Sequence, residues 1–255
     1  MSPRAGEGSP ARIDQPAAIG LAQRCLVSVS GAAKTLAEVR GQAASCSRCS
    51  LFRLGTQTVF GECPAPAALM LVGEQPGDQE DRQGRPFVGP AGRMLAKALA
   101  AAGIDRSQIY VTNAVKHFKN VPRGKRRIHQ KPTAGEIDSC KWWLDLELKL
   151  VRPRIVVALG ASAGRALLGR PVKIAKARGR PVAFGAERWL VVTIHPSLLL
   201  RIEDAGKKAE ALERFIEELR IAKKLTSGRT RPMGRMASSS TSARNARSRC
   251  FLRLR

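Results

Sequence analysis

Apolar positions along the middle of this chain fall into two alternating periods. Short unbroken runs occur at Ala68-Leu69-Met70-Leu71-Val72, Ile109-Tyr110-Val111-Thr112, Ile155-Val156-Val157-Ala158-Leu159 and Trp189-Leu190-Val191-Val192-Thr193-Ile194. They have the length and β-branched content of strands buried on both faces. Between and after them the spacing becomes that of amphipathic helices, over Pro90–Ala102, Gly135–Val151, Ala161–Leu168 and Lys207–Lys224. Strand and helix in turn predict a three-layer α/β/α sandwich around a mainly parallel, four-stranded sheet. In such sheets ligands bind beyond the carboxyl ends of the strands. Three of the four strands lead directly into polar segments: Gly73–Asp81, Asn113–His117 and His195–Arg201. A site is expected along that one edge.

Charge narrows the partner. The chain of 255 residues has 45 Lys and Arg against 20 Asp and Glu, a formal net charge of +25. Residues 35–225 alone hold 33 basic and 18 acidic side chains, so the expected folded part is itself strongly basic. Such an excess fits a polyanion, most simply nucleic acid, better than a membrane surface. No apolar run reaches the ~18 residues of a spanning helix. Residues 1–16, with their Pro, Gly and Arg, lack the layout of a signal peptide, and residues 1–34 are expected to be a mostly disordered extension of a cytoplasmic protein. Residues 226–255 carry eight Arg, no acid and a Ser/Thr-rich middle, the composition of a disordered tail. The six cysteines (25, 46, 49, 63, 140 and 250) are too few and too unevenly spaced for a disulfide framework. Cys46-x-x-Cys49 fits zinc or redox chemistry.

Four segments carry candidate chemistry. Gly73-Glu74-Gln75-Pro76-Gly77-Asp78-Gln79-Glu80-Asp81 is either a helix-capping acidic loop or a tight loop facing a ligand. Asn113, at a strand end, either caps a turn or offers donor and acceptor together to a base edge. His195-Pro196-Ser197 presents a histidine at the sheet edge, where it is either structural or a donor to a developing anion. Lys125-Arg126-Arg127-Ile128-His129 sets a histidine at the end of a cationic run between Gly124 and Pro132. Alone it reads as a solvated basic loop; beside the other three it reads as a nucleophile or acid–base group held near phosphate.

Gly73–Gly77, Phe87-Val88-Gly89-Pro90-Ala91-Gly92, Thr112–Lys116 and His195–Ser197 occur in the order seen in iron–sulfur uracil-DNA glycosylases. With the Lys125–His129 segment, residues 40–222 resemble the UdgX branch, which is similar to family 4 enzymes but has an added basic loop ending in histidine. The resemblance implies a uracil-DNA glycosylase-like fold and a monomer acting on uracil-containing DNA, single strands included. It implies that Phe87 stacks on a flipped uracil, that Asn113 hydrogen-bonds its edge, and that Gly73 and Gln75 wall the pocket. His195 would stabilise the leaving uracil anion, and Glu74 and Asp81 the cationic sugar. His129, oriented or deprotonated by Glu74, would attack the sugar C1′ and stay bonded to it, while Lys125, Arg126, Arg127 and Arg201 meet phosphates. Leu198 stands where the branch commonly has Ser.

The resemblance further implies a [4Fe–4S] cluster on Cys46, Cys49, His117 and Cys140. Family 4 has a third Cys where this chain and the UdgX-like branch have His117, and Cys63 is the rival fourth ligand. Cys25 and Cys250 are expected to be free thiols. Two other readings stay open: a turning-over family 4-like glycosylase in which His129 only contacts DNA, and a non-catalytic DNA-binding iron–sulfur protein.

Overall fold

The computed structural model describes residues 35–62, 64–185 and 187–228. Cys25, Cys63 and Cys250 lie outside these, as do the N-terminal extension and all but the start of the Arg-rich tail. Among the described residues seven strands form, β1 (Leu69–Gly73), β2 (Tyr110–Asn113), β3 (Asn120–Arg123), β4 (Arg126–His129), β5 (Ile155–Leu159), β6 (Val182–Phe184) and β7 (Arg188–Thr193). The α-helices are α1 (Leu36–Ala44), α2 (Asp78–Gln83), α3 (Pro90–Ala101), α4 (Ala134–Val151), α5 (Ala161–Leu168), α6 (Ile174–Ala177) and α7 (Ala205–Ser227).

The main sheet has the order β2-β1-β5-β7-β6. Its first four strands are the four apolar runs, all parallel. The fifth, β6, is a short antiparallel edge strand on β7 that the four-stranded expectation did not include. Successive residues of each central strand serve opposite cores. Met70, Val72, Val156 and Ala158 pack with α1, α4 and α5, whereas Leu69, Leu71, Ile155 and Val157 pack with α3 and α7. Burial on both faces is why these strands read as continuous apolar runs rather than as alternation. Helix α7 extends to Ser227, two residues past the expected domain end. Among the described residues no helix is long and apolar enough to cross a membrane.

The second sheet is the hairpin of β3 and β4, and it changes the picture of Lys125–His129. The segment is not a loop but the turn and returning strand of a hairpin, with Arg123 paired to Arg126 across the two-residue turn Gly124-Lys125, and Asn120 paired to His129. This places His129 at the hairpin base, against the body of the protein. The Gly73–Asp81 segment likewise contains the short helix α2, and the basic segment Lys173–Arg180 contains α6. Within the latter, Arg178 is ion-paired to the buried Glu218 at 2.7 Å, which makes it a structural cation.

Candidate functional site

Parallel pairing aligns the ends of β1, β2, β5 and β7 along one edge, and there a cavity of about 780 Å³ opens. Glu74 and Gln75 enter it from the end of β1, Asn113 from β2, His195 from the end of β7, and Phe87 from the segment before α3. Gly73 is the hinge of this arrangement. A Cβ there would stand 2.3 Å from Asn113 Oδ1 and 2.5 Å from Phe87 Cζ, so only glycine lets amide and ring approach. Phe87 holds a left-handed φ of 57°. The turn is locked because its carbonyl lies where a Cβ on Gly92 of α3 would sit, at 1.9 Å. Glu80 fastens the loop from below, accepting from Gly89 N at 2.7 Å and Gly77 N at 3.2 Å.

Asn113 is buried, and its Oδ1 has no hydrogen-bond partner. An unsatisfied buried acceptor costs free energy unless a ligand supplies the donor, so this atom fits the N–H of a planar heterocycle. The Phe87 ring lies 6.2 Å from the His195 ring, tilted by 31°. His195 Nδ1 accepts from Ser197 N at 3.2 Å and faces Ser197 Oγ at 2.8 Å. That bond leaves the proton of the neutral ring on Nε2, the atom free to donate. Burial, with His129 and Arg201 nearby, depresses the His195 pKa to about 4. The ring is therefore a neutral donor at physiological pH.

His129 reaches the same cavity from the hairpin, its Nε2 3.4 Å from Glu74 Oε1. Burial lowers its pKa against the opposing pull of Glu74, with Arg201 adding to the depression. The other oxygen of Glu74 accepts from Ser162 Oγ at 2.5 Å. Ser162, near the start of α5, was not among the expected site residues. The signal was available: β5 also ends at this edge, and Ser162 follows it by three residues.

The hairpin is pinned at three points. Gln75 donates through Nε2 to Gln130 O at 2.9 Å and accepts at Oε1 from Lys119 N at 3.1 Å. Asn120 Nδ2 donates to Leu54 O at 2.9 Å. Arg127 bridges Asp78 and Asp81, each at 2.6 Å. Two expectations change here. Asp81 is 0% exposed, outside the cavity, and holds Arg127 and Thr56 N, so it cannot face a sugar. Arg127 is an anchor to α2 rather than a free phosphate contact. Lys125 and Arg126 are exposed at the turn and, among the described residues, make no ion pair; Arg201 is exposed on the cavity rim.

On the far side of β2 the chain brings the cysteines together. Cys140 Sγ accepts from Lys116 N at 3.2 Å, and Cys46 Sγ from Trp143 Nε1 at 3.1 Å. Cys46 and Cys49 both act electrostatically on Cys140, whose thiol burial pushes up to about 12. His117 is buried, with Nε2 2.9 Å from Thr58 Oγ1. The Thr58 hydroxyl donates to Ala43 O, so it accepts from His117 Nε2–H and leaves Nδ1 with a free lone pair. Among the described residues no three His, Cys, Asp or Glu converge closely enough to hold a single metal ion. Between this cluster of cysteines and Asn113 runs a buried network that the sequence did not reveal. Lys116 and Glu147, both 0% exposed, pair at 2.6 Å. Glu147 also accepts from Tyr110, Thr112 and Gly61 N, and Lys116 Nζ donates to Asn113 O at 2.7 Å.

Residues 60–220 match the model of the uracil DNA glycosylase superfamily. The chain belongs to this superfamily. Over 157 residues it is 38% identical to the type-4 uracil-DNA glycosylase of Thermotoga maritima, covering 61% of this chain and 78% of the relative. With the type-4 uracil-DNA glycosylase of Sulfurisphaera tokodaii it shares 32% over 198 residues, 74% of this chain and 87% of the relative. With the type-5 uracil-DNA glycosylase of Pyrobaculum aerophilum it shares 38% over 117 residues, 40% and 48% of the two chains. For this superfamily member, the matched span includes every cavity residue described above and the hairpin that bears His129.

Proposed function

We propose that this protein excises uracil from DNA and captures the resulting sugar covalently through His129. The reading rests on one observation: the imidazole of His129, paired with the carboxylate of Glu74, enters the same cavity as the Asn113 amide, the Phe87 ring and His195. The superfamily membership and the type-4 relatives support excision itself. A uracil flipped out of the stack would lie against Phe87, with Asn113 Oδ1 accepting from its ring N–H. As the bond between C1′ and uracil N1 breaks, its electron pair leaves with the base, and His195 Nε2–H donates to the uracil oxygen that gains charge. Glu74 lies where its negative charge would stabilise the cationic sugar. The His129 lone pair then forms the N–C1′ bond, and the imidazolium proton passes to Glu74 or solvent.

Incubation with a uracil-containing oligonucleotide followed by denaturing electrophoresis should give a slower band that thymine DNA does not give. His129→Ser should abolish the band and release uracil over many turnovers. If the unaltered protein instead releases many uracils per chain without an adduct, His129 is only a DNA contact and the protein a turning-over enzyme like the family 4 glycosylases.

We further infer a [4Fe–4S] cluster on Cys46, Cys49, Cys140 and His117 Nδ1. N–H donors on two of the sulfurs and the tautomer fixed by Thr58 suit such a group, which would pin the α1–α4 junction. Iron analysis giving about four irons per chain, with a visible band near ~400 nm, is expected; one zinc and no colour would exclude it.

A further inference from the structure

Among the described Phe, Tyr and Trp side chains, Phe52 and Trp142 are the exposed ones, at 38% and 39% exposure; the others are buried or half-buried. Each lies under a guanidinium. Arg53 stands 5.3 Å from the Phe52 ring centroid and Arg48 5.2 Å from that of Trp142. Among the described residues neither arginine is ion-paired to an acid, so both charges face solvent uncompensated. The two rings come from segments that the fold joins: Phe52 follows Cys49 by three residues, Trp142 follows Cys140 by two, and Arg48 crosses from one segment to the other. Trp143 turns inward onto Cys46 while Trp142 turns out.

His129 pairs across the hairpin with Asn120, and Asn120 holds the carbonyl of the exposed Leu54, two residues from Phe52. The hairpin adds exposed Arg123, Lys125 and Arg126. Exposed cations and two aromatic faces thus sit on segments tied through Asn120 to the hairpin that bears His129, a basic and aromatic track.

We propose that this track binds the single-stranded DNA flanking the nucleotide held in the cavity, with bases stacking at Phe52 and Trp142 and phosphates meeting Arg48 and Arg53. The proposal rests on the reading of the cavity as a site for DNA. The chemistry selects single strands. Every unpaired base has a free π-face to stack on an exposed ring, and arginine adds cation–π and phosphate contacts. In a duplex those faces are already stacked on their neighbours, leaving the rings nothing to grip.

The test uses the full chain and labelled oligonucleotides of about 15 nucleotides without uracil, so that it does not depend on excision. Fluorescence anisotropy should show that Phe52→Ala with Trp142→Ala weakens single-strand binding by about tenfold or more. Affinity for a matched duplex should change less than about twofold, and Phe52→Tyr with Trp142→Phe should retain single-strand affinity. Arg48→Gln with Arg53→Gln should weaken single-strand binding and reduce its salt dependence. Unchanged single-strand affinity in the double alanine variant, or an equal loss on duplex and single strand, overturns the proposal. Uracil release is scored separately on the unaltered protein. Release without ring-dependent binding removes this surface alone. Ring-dependent binding without release removes the glycosylase reading and leaves the surface standing.

Discussion

The two histidines of the cavity differ in what their neighbours leave free. Ser197 N–H occupies His195 Nδ1 and forces the proton onto Nε2, making the ring a donor. His129 instead has a carboxylate at Nε2, the partner expected for a group that must shed a proton once it has become an imidazolium. His195→Ala removes the donor, and single-turnover uracil release followed by rapid quench should fall by about 10²–10³-fold. pH separates the two roles. The proposed capture needs an unprotonated His129, and burial has moved its pKa below the ordinary 6.5. Adduct yield per uracil released should thus stay level from neutral pH downward and fall only as pH drops through that lowered pKa. Denaturing gels run beside uracil quantitation across that range would show this, and a yield that rises with acidity contradicts it. The same shifts bear on stability with a definite sign. His195 is neutral in the fold down to about 4, whereas the unfolded chain takes up its proton near 6.5, so unfolding gains protons in that window. Stability contributed by the neutral ring is fully present above about 6.5 and is lost as pH falls toward 4.

At the scale of elements, the decisive unit is the β3–β4 hairpin, which has little to stabilise it internally. Val121 and Ile128 face each other but remain exposed, and its other residues are largely cationic. An isolated two-stranded hairpin is marginal in water; this one is held by Gln75, Asn120 and the bridge from Arg127 to Asp78 and Asp81. Arg127→Ala also leaves the buried Asp81 without its cation, a cost of about 3 kcal/mol or more by analogy with other broken buried pairs. With the hairpin loosened, the capture rate should fall more than the excision rate, because Phe87, Asn113 and His195 stand on other elements. Parallel time courses of adduct and of free uracil measure the difference, and equal loss of both counts against the anchoring role. These ties also explain what could be read beforehand. The four central strands and the site edge were legible because burial on two faces writes an unbroken apolar run. The hairpin was not, since long-range ties to Leu54, Gln75 and α2 hold it, and no local pattern records them. Asp81 misled for a related reason: it follows the strand end as Glu74 does, but the phase of α2 turns it away from the cavity and onto Arg127.

For the molecule as a whole, the Lys116–Glu147 pair joins α4, the end of β2 and the segment bearing the cysteines. Burying two charges is costly, and their mutual attraction with three further donors to Glu147 and Lys116's own acceptors offsets that cost only while both are present. Lys116→Met strands the carboxylate and should cost about 3–5 kcal/mol, lowering the melting temperature by roughly 10 °C in a domain of this size. Replacing both, Lys116→Met with Glu147→Gln, removes the two charges, keeps one oxygen to accept from Tyr110, Thr112 and Gly61 N, and should recover most of that loss. What it should not recover is the bond from Lys116 Nζ to Asn113 O, which steadies the strand end that carries the Asn113 amide. The double variant is therefore expected to melt near the unaltered protein while its KM for uracil DNA in the turning-over His129→Ser background stays raised. Calorimetry paired with steady-state kinetics separates the two effects. If KM returns together with stability, the pair serves the fold alone; if it stays high, the buried charges were also holding Asn113 for the base.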